Sequence, residues 1–221
     1  DEKWLPNAPT ITYNAIIEKA IAGEIKALWI CCTNPRHSWT NNETFKKAIE
    51  NLELFIVQDI YDDTDSSKLC DVYFPVTSGL YKEGVIINTE RRLSKLRPVL
   101  TEKNSKLTDY EVFYKMGEAL GMGDLLKGWE TPKDAFELMK KCSKGMPCDI
   151  TGVDYDALND SAGIQWPYPE GSAPLTDNER RLFENNQYYT PSKKAKFMFE
   201  MPIENPVQCS EKYPYILNTG R

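Results

Sequence analysis

Two apolar runs decide the fold of this chain: Ala27-Leu-Trp-Ile-Cys-Cys32 and Leu54-Phe-Ile-Val57. Each run is continuous rather than alternating, which is typical of parallel strands that are covered on both faces. Between them, Asn42 is placed to cap a helix, and apolar side chains from Phe45 to Leu52 recur at helical spacing. Two strands joined by a helix of about ten residues form a βαβ unit, so we expect these strands to be parallel.

The flanking segments extend this α/β pattern. A helix is predicted from Thr10 to Gly23, and a third strand is predicted at Val72-Tyr-Phe74. Residues 75–107 are rich in loop signals. Beyond them, Thr108-Asp-Tyr-Glu111 is a capping box that opens one helix, and Thr131-Pro132 opens another with a cap followed by proline.

The C-terminal part of the chain has a different amino-acid composition. From about residue 146, proline, glycine and aromatic residues dominate, as in Gly163-Ile-Gln-Trp-Pro-Tyr-Pro169. We therefore expect three parts: an α/β region at 1–145, an irregular connector at 146–210 and a short strand within 211–221. A structureless segment of this length is unusual inside a compact domain, which favours a connector that wraps over a larger protein.

Composition excludes several classes of protein. The 221 residues contain 27 Lys+Arg and 33 Asp+Glu, for a net charge of −6, and no basic arm suited to nucleic acid is present. The longest apolar runs are short, whereas a membrane-spanning helix needs about 20 apolar residues. The six cysteines form no Cys-x-x-Cys pair, and His37 is the single histidine, so no metal site is predicted.

Some polar residues are placed for ligand binding. Asp59 follows an apolar strand at the edge where α/β sheets bind ligands, and it suits a ribose diol or a guanine edge; the alternative is a turn aspartate. Lys82, before Gly84, suits a phosphate or a pterin ring, or is simply solvated. For Asn88-Thr-Glu-Arg-Arg92 we favour a network that pins the loop to its neighbours. Thr219-Gly220-Arg221 ends an apolar run and is a weak phosphate signal.

The ordered set of motifs is more specific than any one of them. It comprises Ala27-Leu-Trp-Ile-Cys-Cys-Thr-Asn-Pro35, Val57-Gln-Asp59, Cys70-Asp-Val-Tyr-Phe-Pro75, Lys82-Glu-Gly84, Asn88-Thr-Glu-Arg-Arg92, Gly163-Ile-Gln-Trp-Pro167, Tyr189-Thr-Pro-Ser-Lys-Lys-Ala-Lys-Phe197 and Leu217-Asn-Thr-Gly-Arg221. Together they resemble the molybdopterin oxidoreductases of the dimethyl sulfoxide reductase family. The resemblance covers nearly the whole chain, more loosely between residues 95 and 160. Departures include Thr64-Asp-Ser-Ser67, where the family usually has Thr-Glu-Thr-Ala, and a different loop before Asp109.

The resemblance implies an α/β, Rossmann-like parallel-sheet region, then a loop-rich connector, then the first strand of a C-terminal cofactor-binding β-barrel. It implies bis-molybdopterin guanine dinucleotide as the cofactor, contacted by positions that match Gln58, Asp59, Lys82 and Asp109. Thr219, Gly220 and Arg221 match the cofactor-binding turn that opens the barrel. The 4Fe–4S cysteines and the molybdenum ligand of the family lie upstream of the matching segment, so no catalytic residue and no metal ligand is expected here.

Within the family, the motifs are most similar to those of nitrate reductase catalytic subunits, with molybdenum formate dehydrogenases next. The implied reaction is nitrate to nitrite, with electrons from ferredoxin, flavodoxin, an NADH-linked subunit or a cytochrome. The chain then corresponds to an internal fragment that is inactive alone. A non-catalytic electron-transfer subunit or scaffold with the same fold stays open as an alternative. The cytoplasm is the favoured compartment, with the periplasm as the alternative.

Overall fold

The computed structural model describes residues 10–101, 106–159, 162–173, 181–202 and 208–217. The helices are α1 (Tyr13–Ile21), α2 (Pro35–Ser38), α3 (Asn42–Glu50), α4 (Asp109–Ala119) and α5 (Pro132–Ser143). The strands are β1 (Ala27–Cys31), β2 (Leu54–Asp59), β3 (Val72–Pro75), β4 (Gly84–Ile87), β5 (Arg92–Leu96) and β6 (Ile164–Gln165).

The first sheet is parallel and has the order β1-β2-β3. Ala27 pairs with Leu54 and Ile56 pairs with Val72, which confirms the predicted βαβ unit and places β2 at the centre. Helices α1 and α3 pack against the sheet through Ile17, Ala20, Phe45 and Ala48, which form a buried core with Ile30, Phe55 and Val57. The carboxyl ends of all three strands therefore meet at one edge.

The second sheet is antiparallel and lies largely where the sequence predicted loops. Strands β4 and β5 pair as a hairpin within residues 75–107, and β6 joins β5 through the Arg92–Gln165 and Leu93–Ile164 pairs. The expectation of a loop-rich region at 75–107 is wrong at this hairpin. The local sequence does not mark β4, because Gly84-Val-Ile-Ile87 has no alternation of apolar and polar residues.

A second buried core forms under this sheet from Leu93, Phe136, Ile150, Val153, Tyr155, Leu158 and Ile164. Residues 150–164, which the sequence assigned to the connector, thus supply much of its apolar surface. The described parts of the stretch 146–168, which are 146–159 and 162–168, consequently pack with α5 and β5, and the regular strand that they contain is the short β6. The predicted three-part division of the chain stays a prediction.

The chain divides into two compact units, Asp1–Arg180 and Arg181–Arg221. Within the second unit, residues 181–202 and 208–217 form no helix or strand. Residues 213–217 were predicted to begin a barrel strand. In the structure they are exposed and form no strand. Thr219, Gly220 and Arg221 lie outside the described residues.

Candidate functional site

The candidate site lies at the carboxyl end of the central strand β2. Gln58 and Asp59 are the last two residues of that strand, and their exposed fractions are 0% and 8%. Open parallel sheets bind ligands just outside this edge, because the loops that follow the strands diverge there. The structure therefore confirms that Asp59 is the last residue of a parallel strand, at the edge of the sheet where ligands of such folds commonly bind.

The turn that follows Asp59 fixes the orientation of its carboxylate. Its Oδ1 accepts hydrogen bonds from the backbone N–H of Ile60, at 2.7 Å, and of Tyr61, at 3.2 Å. Its backbone carbonyl accepts from the Tyr73 hydroxyl and from the N–H of Val76. Among the described residues nothing donates to Oδ2, so one carboxylate oxygen is anchored and the other is left as an acceptor.

Asp109 reaches the same edge from α4. Val76, after β3, forms a parallel bridge with Leu107, and the N–H of Thr77 donates to the Leu107 carbonyl at 2.9 Å. The next residue, Thr108, caps α4 in a capping box with Glu111, as predicted. Asp109 is thus the first helical residue, where the positive end of the helix dipole favours a carboxylate.

Three donors from three other segments converge on the Asp109 carboxylate. Gln58 Nε2 donates to Oδ1 at 2.7 Å, and the Cys32 thiol donates to the same oxygen at 3.3 Å. Lys82 Nζ forms a close ion pair with Oδ2. The structure therefore brings together Gln58, Lys82 and Asp109, and adds Cys32, which the sequence did not single out.

This environment shifts two pKa values. Partial burial alone would raise the pKa of Asp109, but hydrogen bonds from Lys82, Gln58 and Cys32 outweigh it and hold that pKa below its ordinary value. Desolvation, the hydrogen bond to Asp109 and the nearby negative charge raise the pKa of Cys32 to about 11. Asp109 is therefore ionised and the thiol is protonated near neutral pH.

Two buried side-chain oxygens at this edge have no partner among the described residues: Gln58 Oε1 and Thr77 Oγ1. Both residues are at most 3% exposed. A buried acceptor without a donor costs about 1–3 kcal/mol, so such atoms point to a ligand or an ordered water that completes them. With Asp59 Oδ2, they form a set of acceptors that fits the N–H and hydroxyl groups of a nucleoside.

Lys82 also borders a cleft of about 570 Å³ on the side of β4 and the N-termini of α4 and α5. The polar side chains on its wall include Glu83, Asp109, Glu111 and Glu130. From the sequence, Lys82 was expected either to meet a phosphate or a pterin ring or to be solvated; in the structure its ammonium is paired with Asp109 and its side chain is only 22% exposed.

The arginine loop is structural, as favoured from the sequence. Arg91 Nη1 donates to the Trp166 carbonyl at 2.5 Å, and its guanidinium lies 5.3 Å from the centre of the Trp166 ring. Asn88 Oδ1 accepts from the N–H of Arg92 at 3.0 Å. His37 lies apart from the site and is exposed, with Nδ1 3.5 Å from Asp65 Oδ2.

Neither a metal-holding cluster nor a membrane-spanning helix occurs in the described part of the chain. No group of three or more His, Cys, Asp or Glu side chains in that part of the chain is arranged to hold a metal ion. No helix there is both long and apolar enough to cross a bilayer.

Comparison with known proteins defines the class. The family model described as molybdopterin oxidoreductase matches residues 3–119, and the chain belongs to this family. The family implies a molybdopterin cofactor, and Cys32, Gln58, Asp59, Lys82 and Asp109 all lie within the matched segment.

Individual relatives refine this picture. The chain is 31% identical, over 98% of its length, to the assimilatory nitrate reductase catalytic subunit of Bacillus subtilis, of which it covers 30%. It is 29% identical, over 96% of its length, to the F420-dependent formate dehydrogenase 2 subunit alpha of Methanococcus maripaludis, of which it covers 29%. The chain thus spans less than a third of the length of these relatives.

A solved structure shares the fold. Acetylene hydratase from Pelobacter acetylenicus superposes with a TM-score of 0.58 at 15% sequence identity, over 82% of this chain and 23% of that chain. The name of that protein denotes a hydratase rather than a nitrate or formate enzyme. The shared fold therefore does not by itself identify the reaction.

Proposed function

We propose that this chain is the part of a molybdenum oxidoreductase catalytic subunit that holds the guanosine end of a bis-molybdopterin guanine dinucleotide cofactor. The observation that carries the proposal is the fully buried Gln58 at the end of β2, with Nε2 committed to Asp109 and Oε1 without a donor. Such an atom at a parallel-sheet edge fits a ligand that brings N–H or O–H groups.

The charges of the cluster favour a nucleoside over a phosphate. Asp59 and Asp109 contribute two carboxylates, and Lys82 contributes one ammonium that is already paired, which leaves a net charge of −1. An anion would meet repulsion here, whereas guanine N1–H and N2–H₂ or ribose hydroxyls would meet acceptors. We therefore assign the guanine edge to Asp59 Oδ2 and further donors to Gln58 Oε1 and Thr77 Oγ1.

This chain's residues bind and orient the cofactor rather than react with substrate. When bound, the molybdenum cofactor supplies two-electron oxygen-atom transfer, here nitrate to nitrite. Gln58 and Asp59 present fixed acceptors, Lys82 neutralises Asp109, and Cys32 donates to it. Thr219, Gly220 and Arg221 are proposed to contact the cofactor from a barrel turn, and a 4Fe–4S cluster outside this segment to deliver electrons from a ferredoxin, flavodoxin, NADH-linked subunit or cytochrome.

Nitrate is the proposed substrate because several similar relatives carry the name nitrate reductase, from 31% identity downward. Formate oxidation is the second candidate, since the formate dehydrogenase relative is nearly as similar, at 29% identity. A non-catalytic subunit with the same fold would bind the cofactor weakly or not at all.

The test uses the full-length protein that carries this segment. We expect molybdenum and guanine nucleotide in acid extracts of the purified protein, and nitrate-dependent oxidation of reduced methyl viologen. Formate-dependent dye reduction without nitrate turnover would overturn the nitrate assignment in favour of the second candidate. A protein that contains neither molybdenum nor guanine nucleotide would overturn the proposal as a whole.

The role of Asp59 is tested with a matched pair of variants. Asp59→Asn replaces the acceptor Oδ2 of a carboxylate that is 8% exposed, whereas Asp63→Asn changes an exposed carboxylate in the following loop. We expect Asp59→Asn to lose at least about tenfold in guanine dinucleotide affinity, as is typical when a charged acceptor is removed, and Asp63→Asn to match the wild type. Equal affinity in both variants would contradict the assignment.

A further inference from the structure

Cys32 adopts a backbone conformation that few residues other than glycine adopt. It follows the last residue of β1 with a φ of 54°, in the left-handed region. Its N–H donates to the Gln58 carbonyl at 2.8 Å, which continues the pairing of β1 with β2 and ties the strained residue to the site. Glycine would adopt this conformation without strain, so the cysteine side chain needs a compensating contact.

That contact is the hydrogen bond from Sγ to Asp109 Oδ1, at 3.3 Å. The same oxygen accepts from Gln58 Nε2, so the residue just after β1 and a residue of β2 supply two donors to one carboxylate oxygen. Lys82 occupies the other oxygen. The three donors together hold the plane of the carboxylate, and the carboxylate in turn holds the amide of Gln58.

The orientation of the Gln58 amide decides what a ligand meets. With Nε2 on Asp109, Oε1 is left as the acceptor, and it is the buried atom without a partner. A rotated or displaced Asp109 would free the amide to turn and present Nε2 instead. The raised thiol pKa keeps Cys32 a donor across the physiological range, since a thiolate would repel the carboxylate.

We propose that Cys32 is a positioning residue whose thiol fixes the Asp109 carboxylate and, through it, the Gln58 amide in the acceptor orientation. The inference rests on the proposed function for its consequence, because the ligand in question is the guanosine end of the cofactor. The contact between Cys32 and Asp109 can be tested without any cofactor.

The first experiment reads the contact itself. The full-length protein is prepared in a host that cannot make molybdopterin, and the rates of alkylation of its cysteines by iodoacetamide at pH 8 are followed by peptide mass spectrometry. Desolvation contributes most to the raised pKa of the Cys32 thiol, and the Asp109 carboxylate adds to it. Asp109→Asn removes the carboxylate's contribution, so alkylation of Cys32 is expected to accelerate about three- to tenfold. Exposed Cys142 on α5 is the internal reference and is expected to keep its rate. An unchanged Cys32 rate would overturn the inference.

The second experiment compares three substitutions in the cofactor-loaded protein, measured as the dissociation rate of guanine dinucleotide. Cys32→Ser keeps a donor and is expected to remain within about twofold of the wild type. Cys32→Ala and Cys32→Gly lose the donor and are expected to release the dinucleotide about three- to tenfold faster, which is less than a full hydrogen bond to a charged group gives because a thiol is a weak donor. Cys142→Ser is the control for loss of a thiol elsewhere.

Cys32→Gly keeps the test informative, because glycine relieves the positive φ and the variant is expected to fold at least as well as the wild type. Wild-type release rates in both Cys32→Gly and Cys32→Ala would show that the thiol is only a tolerated side chain, which contradicts the inference. A wild-type protein with no guanine dinucleotide would instead refute the proposed function, while faster alkylation in Asp109→Asn would still establish the contact.

Discussion

The substitution Gln58→Met distinguishes the contribution of Gln58 to protein stability from its contribution to ligand binding. Gln58 is 0% exposed, and methionine has a similar length and fills a similar volume without polar atoms. The change removes the hydrogen bond from Nε2 to Asp109, which is worth about 1.5–3 kcal/mol because the acceptor is charged. It also removes the unpartnered Oε1, whose burial costs about 1–3 kcal/mol.

The two contributions oppose each other and are of similar size. In protein without cofactor, Gln58→Met is therefore expected to change the free energy of unfolding by less than about 1 kcal/mol, or roughly 2–4 °C in melting temperature. In loaded protein, the lost acceptor leaves a donor of the ligand unpaired, so affinity for the guanine dinucleotide is expected to fall about tenfold. Gln187→Met, at an exposed position in the second unit, is the control for adding a methionine.

The assay is a pair of measurements on the same preparations: thermal unfolding without cofactor, and release of guanine dinucleotide from the loaded protein. A fall of 8 °C or more without cofactor, which corresponds to more than about 2 kcal/mol, would show that Oε1 has a partner such as a buried water. Unchanged release from the loaded protein would show that Oε1 does not meet the ligand. Either result would refute the reasoning that assigns this atom to the cofactor.

Three further predictions concern stability. Phe45→Ala removes a 1% exposed ring that packs on Trp39 and Phe55, and it is expected to cost about 3–5 kcal/mol, read as a lowered melting temperature. Because the pKa of Asp109 lies below its ordinary value of 3.8, its ion pair stabilises the fold above that pH and is lost as the pH falls through the lowered pKa. The difference in melting temperature between wild type and Asp109→Asn should therefore shrink towards pH 3; a constant difference would contradict the pairing. Tyr155→Phe loses the hydrogen bond to Glu83 at 3.0 Å and is expected to cost about 1 kcal/mol; no change in melting temperature would show that the hydroxyl contributes nothing.

The parallel sheet was predictable because its signals are local and strong. Two continuous apolar runs flank a helix of ten residues or so, and βαβ geometry then fixes the strand direction. The capping box at Thr108 and the cap followed by proline at Thr131 predicted the starts of α4 and α5 to the residue, because both signals depend only on neighbouring side chains. Local chemistry of this kind needs no knowledge of the rest of the fold.

The second sheet was not predictable from the same signals. Strand β6 has two residues, and its partner β5 lies about 70 positions earlier in the chain. The pairing depends instead on tertiary contacts such as those of Leu93 with its buried core, which no window of sequence displays. The packing of the residues beyond the boundary expected near residue 146 was not predictable for the same reason. Irregular segments that supply core side chains show no hydrophobic periodicity.

The cluster around Asp109 shows which site residues a sequence motif can predict and which contacts depend on the tertiary structure. Asp59 was singled out by the end of a strand and Lys82 by its loop before Gly84, whereas Gln58 and Asp109 followed only from the resemblance, which is loose before Asp109, where the loop differs from the family pattern. In the structure, Asp109 nevertheless meets Gln58, because the bridge from Val76 to Leu107 sets the start of α4 independently of that loop. Cys32 had no such signal, since a positive φ at a residue other than glycine is a property of the folded backbone. Lys82, expected from the sequence to meet a phosphate or a pterin ring or to be solvated, is instead neutralised by Asp109 in the folded chain. This pairing makes the cluster suited to hydrogen-bond donors rather than to phosphate.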